Sequence, residues 1–370
     1  MPNGHLHFAR PPMLATLRCL AACALLAGCA AQDARLLRIG DSASDQRAGI
    51  LWPVPPEIPR YRYQGQLLGE ANYQSGGQPG STWISVLSAI AGLDSGHTDP
   101  QSLQRPQSGA IDAQGWIFVT DISRGAVAVF KPKGGIEFWE NAKGLRRFSA
   151  PVGVAASSDG LVWIADAEHA EIFVLNSRGE PLRSFGAGVL RRPTGIALDQ
   201  SRRRVYVADT HAHDIKVFDW DGQLLRTLGQ RGEAEGEFNF PTHLHFARDE
   251  LYVADTLNNR VQVFAHDATR PRLVIGSRGV MVGQFVRPKG VTSDSQGNIY
   301  VIESYFDHLL VFDSKGRFLL PIGGLGKEVG QFYLPAGVWS DSNNRIFVAD
   351  MFNGRVAVFQ FLGGGAEGEY

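Results

Sequence analysis

The chain has 370 residues, 20% of them charged, with a formal net charge of −1 and 43 glycines. That length supports a large core, and because all-β folds often run past 200 residues it does not force a division into several domains. The near-neutral charge, with no Lys/Arg-rich run in the body of the chain, argues against a nucleic-acid partner, and the glycine content suits a fold with many tight turns.

Residues 1–28 read as a targeting segment. Arg10 and Arg18 are its only charges, and "CLAACALLAG" supplies a short apolar region that is too short to span a membrane. It ends in "LAGC", an aliphatic residue, two small residues and Cys29. This resembles the lipobox of bacterial lipoproteins, which implies that Cys29 is lipidated and becomes the new N-terminus. Ala30 rather than Asp after the cysteine implies the outer membrane by the rules of that family. Cys19 and Cys23 would leave with the leader, so the mature chain would hold no free thiol, disulfide or cysteine-based metal site. Its net charge would fall to −3, and its only membrane attachment would be the lipid.

Residues 29–80 show no helical or strand period over most of their length. "WPVPPEIPR" (52–60) is Pro-rich and "YQSGGQPGS" (73–81) is Gly-rich, so the segment reads as a spacer. "YRYQGQLL" (61–68) could form a strand packed on the domain.

A repeat then begins. Copies start at Pro106, Pro151, Pro193, Pro241, Pro288 and Pro335, spaced by 45, 42, 48, 47 and 47 residues. Each opens with Pro and an apolar strand and continues into a second strand that ends in an acid, as in "PAGVWSDSNNRIFVAD". A third strand follows ("VAVF", "IFVL", "IKVF", "VQVF", "LLVF", "VAVF"), and several copies add a fourth ("PLRSFG", "QLLRTLG", "RLVIG", "FLLPIG"). Four short strands in about 45 residues are the sequence signature of a propeller blade. Strands apolar on both faces suit sheets sandwiched between neighbours. "DWDG" and "DSKG" mark hairpins. The expected architecture is all-β: a six-bladed β-propeller over 81–362 with four-stranded antiparallel blades, followed by a tail at 363–370.

The last copy lacks a fourth strand, which leaves an open edge. "WISVLSAIAG" (83–92) is the expected donor. Its Gly92 precedes Pro106 by 14 residues, close to the 12 that separate Gly229, Gly276 and Gly323 from the next proline. "YRYQGQLLG" is the rival, with a poorer phase.

These residues resemble NHL repeats. Pro-x-Gly at the first strand, "YVAD" at the second, "N-x-R-V-x-V-F" at the third and linkers such as "GQRGEAEGEFNFP" carry the resemblance over about 81–362. The first two copies lack the Asn-x-Arg turn, and the fifth has Glu303 for Asp and His308 for Arg. The resemblance implies the fold and leaves the function open, because propellers of this kind include both binding modules and enzymes.

Alternating strand direction places the starts of the first strands, the ends of the second strands and the blade linkers on one face. That face gathers Asp121, Asp166, Asp209, Asp255, Glu303 and Asp350. An acid in every copy serves something every copy needs, and a short carboxylate can accept backbone N–H groups in the turn that follows. Arg260 and Arg355 read as repeat residues paired with such acids. Departures from the repeat are the better functional candidates. His243 replaces the Gly of Pro-x-Gly, with His245 on the same side of the strand, and His211 and His213 lie in the preceding turn. With Asp209 or Asp255 they could form a zinc site holding an open position for water, as the resemblance to lyase-type propellers implies. Arg192, Arg287 and Lys289 could give the face a basic rim for an anionic ligand, with Arg231 and Arg278 in the linkers.

The favoured reading is a lipid-anchored envelope protein, non-enzymatic and without a cofactor, whose propeller face binds a protein partner. One alternative is a metal-dependent hydrolase or lyase, holding zinc or calcium. Another is a small-ligand or glycan sensor.

Overall fold

The computed structural model describes residues 1, 36–39, 49–73, 101–144 and 146–363. Cys29 and the segment 83–92 lie outside them.

Six blades stand in a ring: blade 1 (106–139), blade 2 (151–185), blade 3 (193–228), blade 4 (241–275), blade 5 (288–323) and blade 6 (335–361, with 61–67). Each is an antiparallel meander whose first strand is innermost, and the first strands touch in the order 1-2-3-4-5-6-1. Every second strand, from Ile117–Asp121 to Arg345–Asp350, is buried along its acidic half. This follows from the two-sided apolar pattern. A blade presents both faces of its sheet to neighbours, so a run such as "IYVI" has no solvent side to satisfy. The core accordingly falls into six clusters, one at each junction between blades.

The closing strand differs from expectation. Tyr61–Leu67, not 83–92, pairs with Arg355–Phe361 as the fourth strand of blade 6, and Leu51–Trp52 adds a fifth. Part of the segment read as a spacer is therefore built into the propeller. In "YRYQGQL", Tyr61, Tyr63, Gly65 and Leu67 are buried, while Arg62 faces out. A bulge between Tyr63 and Gly65 turns the strand over, so Tyr61 and Tyr63 join the core between blades 5 and 6 and Leu67 joins that between blades 6 and 1. The spacing argument failed because the return to blade 1 is pinched. Glu70 N donates to Gln101 O (2.8 Å) and Leu103 N to Leu68 O (2.8 Å), and Gly69 bridges Ser102. The intervening 74–100 counts in sequence distance but not in the path from strand to blade.

Candidate functional site

The face that carries the ends of the second strands has two layers. The buried layer is the carboxylate ring. Asp121, Asp166, Asp209, Asp255 and Asp350 have no solvent exposure and Glu303 almost none. Each reaches the linker preceding its own blade. Asp166 accepts from Ser149 N (2.8 Å), Ala150 N (3.1 Å), Glu168 N (3.1 Å) and His169 N (3.1 Å). Asp121 repeats that set with Gln104, Arg105, Ser123 and Arg124, and Asp209 accepts from Arg191 N and Arg192 N (both 2.8 Å). Glu303 accepts from Val286, Arg287 and Tyr305 N–H groups. In blades 4 and 6 the Asn-x-Arg turn adds to the arrangement. Asp255 accepts from Asn258 Nδ2 and Arg260 Nε (both 2.8 Å), and Arg260 also donates to the carbonyls of Glu233, Ala234 and Glu237. Arg355 does the same with Asp350 and adds Gln66 of the closing strand (3.1 Å). Burial pushes the Asp255, Glu303 and Asp350 carboxyls up, and the donors around them pull the other way. Every carboxylate is thus committed to tying a strand end to a linker. The expected turn-holding role holds, and it extends back across the linker as well as forward.

The linkers between blades 3–4, 4–5 and 5–6 share one fold. Parallel bridges join Arg231 to Phe238, Arg278 to Phe285 and Leu325 to Phe332, and all three phenylalanines are fully buried. Gly229 and Gly276 sit over the first two rings at positive φ. A Cβ at either would come within 2.4 and 2.1 Å of the ring.

The histidines and aspartates named for the alternative metal site are not brought together. His211 and His213 both pack on Phe240, with ring centroids at 5.9 and 4.5 Å, and Phe240 N donates to His213 Nδ1 (3.3 Å). Burial, then the Arg231 charge, holds His213 below the usual histidine range. His243 belongs to the central channel instead. It is buried, and its pKa is lowered to about 4, by burial first and the Lys289 charge second. Neither ring nitrogen meets ordinary hydrogen-bond geometry, although the backbone of Gln107, in the opposite blade, lies near enough to pull the pKa weakly the other way. Asp209 and Asp255 are engaged as described. Among the described residues no three His, Cys, Asp or Glu side chains form a group that could hold a metal ion.

The cations named for a basic rim differ in their surroundings. Arg192 pairs with Glu168 (2.8 Å). Arg287 is exposed, and Lys289 is half-buried with its pKa lowered, by burial first and then by the Arg287 and Arg105 charges. Arg105, absent from the sequence reading, lies over the Phe352 ring at 4.8 Å, and Phe352 packs on Tyr333 at 5.2 Å.

The exposed layer shows what the repeat comparison overlooked. The residue two places after each ring acid is exposed in all six blades: Ser123, Glu168, His211, Leu257, Tyr305 and Phe352. It is polar in blades 1–3 and apolar in blades 4–6, where exposure is 51%, 55% and 45%. Val280, Met281 and Val282 in the 4–5 linker, and Leu325 and Tyr333 in the 5–6 linker, extend the apolar half. The signal was legible as a column in the aligned repeats.

The NHL repeat model matches residues 148–175 and 190–218, and a model described as a 6-bladed beta-propeller matches 285–369. The chain is similar to "Protein brain tumor" of Drosophila melanogaster, 26% identical over 36% of this chain and 12% of that protein. It is also similar to human E3 ubiquitin-protein ligase NHLRC1, 30% identical over 35% of this chain and 31% of the relative. The chain therefore spans about a third or less of these curated relatives. Among solved structures it resembles a protein of unknown function from Bacteroides thetaiotaomicron (TM-score 0.57, 15% identity, 70% of each chain). It also resembles virginiamycin B lyase from Staphylococcus aureus (TM-score 0.51, 14% identity, 70% of this chain and 96% of that one). At such identities the likeness is one of fold. The chain carries NHL repeats and folds as a six-bladed β-propeller.

Proposed function

We propose that this chain is a lipid-anchored envelope protein whose propeller docks a protein partner on the linker face of blades 4–6. The observation that carries the reading is the division of that face. The same repeat position is polar over half the ring and apolar over the other half, and the linkers into blades 5 and 6 add further exposed apolar residues. Isolated exposed apolar residues need no explanation, but a contiguous set on one side marks an interaction surface. Aromatic residues beside arginine are the composition of interface anchors. The cations Arg105, Arg287 and Lys289 beside Phe352 and Tyr333 favour a partner segment that carries acidic groups among apolar side chains. The NHL repeat supports a binding scaffold without naming the partner.

The anchor is tested by feeding cells labelled palmitate. Label should enter the full chain and be lost in C29S. The docking face is tested with a photo-crosslinking residue at Phe352 or Tyr333, against Phe318 in the outermost strand of blade 5. A discrete protein adduct from the first two positions and none from the third supports the reading. Equal adducts at all three would count against it.

A further inference from the structure

Blades 4, 5 and 6 follow linkers of one fold, yet only blades 4 and 6 fill the space against the linker with an arginine. In blade 4, Arg260 donates through Nε to Asp255 (2.8 Å) and through its other nitrogens to the carbonyls of Glu233, Ala234 and Glu237 (2.8, 2.8 and 2.9 Å). In blade 6, Arg355 repeats this with Asp350, Glu328 O and Gln331 O (2.7, 3.1 and 2.8 Å). Two amides complete the blade 4 set: Asn258 donates to Gly232 O and Gln262 to Glu237 O (both 2.8 Å).

Blade 5 has the same linker and none of these donors. Residues 279–284 align with 232–237, and Gln284 N donates to Met281 O (2.9 Å) as Glu237 N does to Ala234 O (3.0 Å). His308 stands in place of Arg260, Phe306 in place of Asn258 and Leu310 in place of Gln262. Among the described residues, no side chain donates to the carbonyls of Gly279, Val280, Met281 or Gln284. An imidazole is too short to follow the path of Arg260, and the backbone of Phe306 is the neighbour that pulls on the His308 ring.

A pocket of about 90 Å³ lies there, walled by Glu303, Phe306, His308 and Leu310 on one side and by linker residues 280–284 on the other. It opens on the docking face, beside the exposed Val280, Met281 and Val282. No Lys or Arg lines it, and burial holds His308 below the usual histidine range, so the walls carry no cation at neutral pH. Glu303 already accepts backbone N–H groups, but a carboxylate has room for further donors. Carbonyls without side-chain donors, a ring acid and an apolar flank are what Arg260 and Arg355 meet in the sister blades. They suit a planar fork of donors on an apolar stem.

We infer that this pocket is a socket for an arginine side chain of the docked partner. The guanidinium would donate to the linker carbonyls and Glu303, with its stem against Phe306 and Leu310. The inference rests on the docking reading for the source of the arginine, and adds one required residue to the partner.

The test uses the full chain with isotope-labelled methionine methyl groups. Met281 lines the pocket, and Met351, against Gln107, is the internal control. The probe is a blocked Ala-Leu-Arg-Leu-Ala pentapeptide, compared with its lysine and citrulline versions. Lysine keeps the charge without the fork, and citrulline keeps the shape without the charge. The arginine peptide should shift the Met281 resonance saturably and leave Met351 unmoved, and the other two should bind about tenfold or more weaker. H308R supplies the arginine from within. It should abolish the Met281 shift and raise Tm by about 2 °C or more.

No saturable shift, equal binding of the lysine or citrulline peptide, or a shift that survives in folded H308R would each overturn the inference. The peptide comparison is read on the unaltered protein, so it decides the matter even if H308R fails to fold. Self-association of the unaltered chain that H308R abolishes would mean that a second copy supplies the arginine, and would overturn the assignment to a partner. The docking reading fails separately, by equal adducts at Phe352, Tyr333 and Phe318, whereas undiminished adducts at Phe352 in H308R would sink only the socket.

Discussion

The two halves of the ring have the same skeleton and different skins. In blades 1–3 the ring acids Asp121, Asp166 and Asp209 are held by backbone N–H groups, and the turn above them exposes Ser123, Glu168 and His211. In blades 4–6 the acids perform the same tie. Two of the three recruit an Asn and an Arg as well, and the turns expose Leu257, Tyr305 and Phe352. Whatever is common to both halves serves the fold, and whatever separates them is free to serve a partner. A ring of six carboxylates on one face looks like chemistry only until each oxygen is followed to its donors.

The largest test removes what both halves depend on. Deleting residues 49–73 takes away Leu51–Trp52 and Tyr61–Leu67, exposing the edge of blade 6 and the Tyr61 and Tyr63 positions of the core between blades 5 and 6. Cooperative thermal unfolding should be lost, whereas persistence of a single sharp transition would mean that another strand closes the ring.

Next come the acids themselves. D350N places an amide against Arg355 Nε and Asn353 Nδ2 and strands a buried guanidinium, which should cost about 3–5 kcal/mol. D166N can keep Oδ1 on three N–H groups and give up the Ser149 bond, for about 1–3 kcal/mol. Urea unfolding of the pair measures the difference, and equal losses would mean that the arginine adds nothing to the tie.

Acid should act through the channel. His243 and His245 have pKa values of about 4 in the folded protein, below the ordinary histidine value of about 6.5. As pH falls through that interval the unfolded chain takes up protons that the folded one refuses. Stability is therefore full above about pH 6.5 and is lost progressively toward pH 4, on the order of 2–3 kcal/mol per histidine. Urea midpoints at pH 7.5 and 5 should show the drop, and H245Q should make it smaller. His245 pairs with Ser293 (3.1 Å) and Thr292 (3.3 Å), contacts an amide can partly replace.

The smallest effect on stability is expected at the turn tips. L257S and Y305S should each change unfolding free energy by no more than about 0.5 kcal/mol, because these side chains are about half exposed, and F352S, which also gives up its contacts with Tyr333 and Arg105, by about 1 kcal/mol.

Much of the fold was legible because a blade cannot bury its two faces alone, and that requirement writes itself into the sequence as a period. The turn role of the acids was legible for the same reason: Asp166 and Asp350 recur in register. The closing strand was not, because Gly69 and Ser102 are neighbours in space through a pairing that sequence distance hides. The alternative metal reading rested on His243 and His213 lying on adjacent blades. Adjacency did not decide where the rings point, one into the channel and one onto Phe240. The proposed docking surface lies in the aligned repeats two residues after each acid, where each apolar residue taken alone is unremarkable.

The most direct measurement takes the full chain and the triple variant L257S/Y305S/F352S through two readouts on one preparation: unfolding temperature, and recovery of the protein partner cross-linked at Tyr333. The division between skeleton and skin predicts nearly the same unfolding temperature and loss of the partner. Undiminished partner recovery, or collapse of the fold, would contradict it.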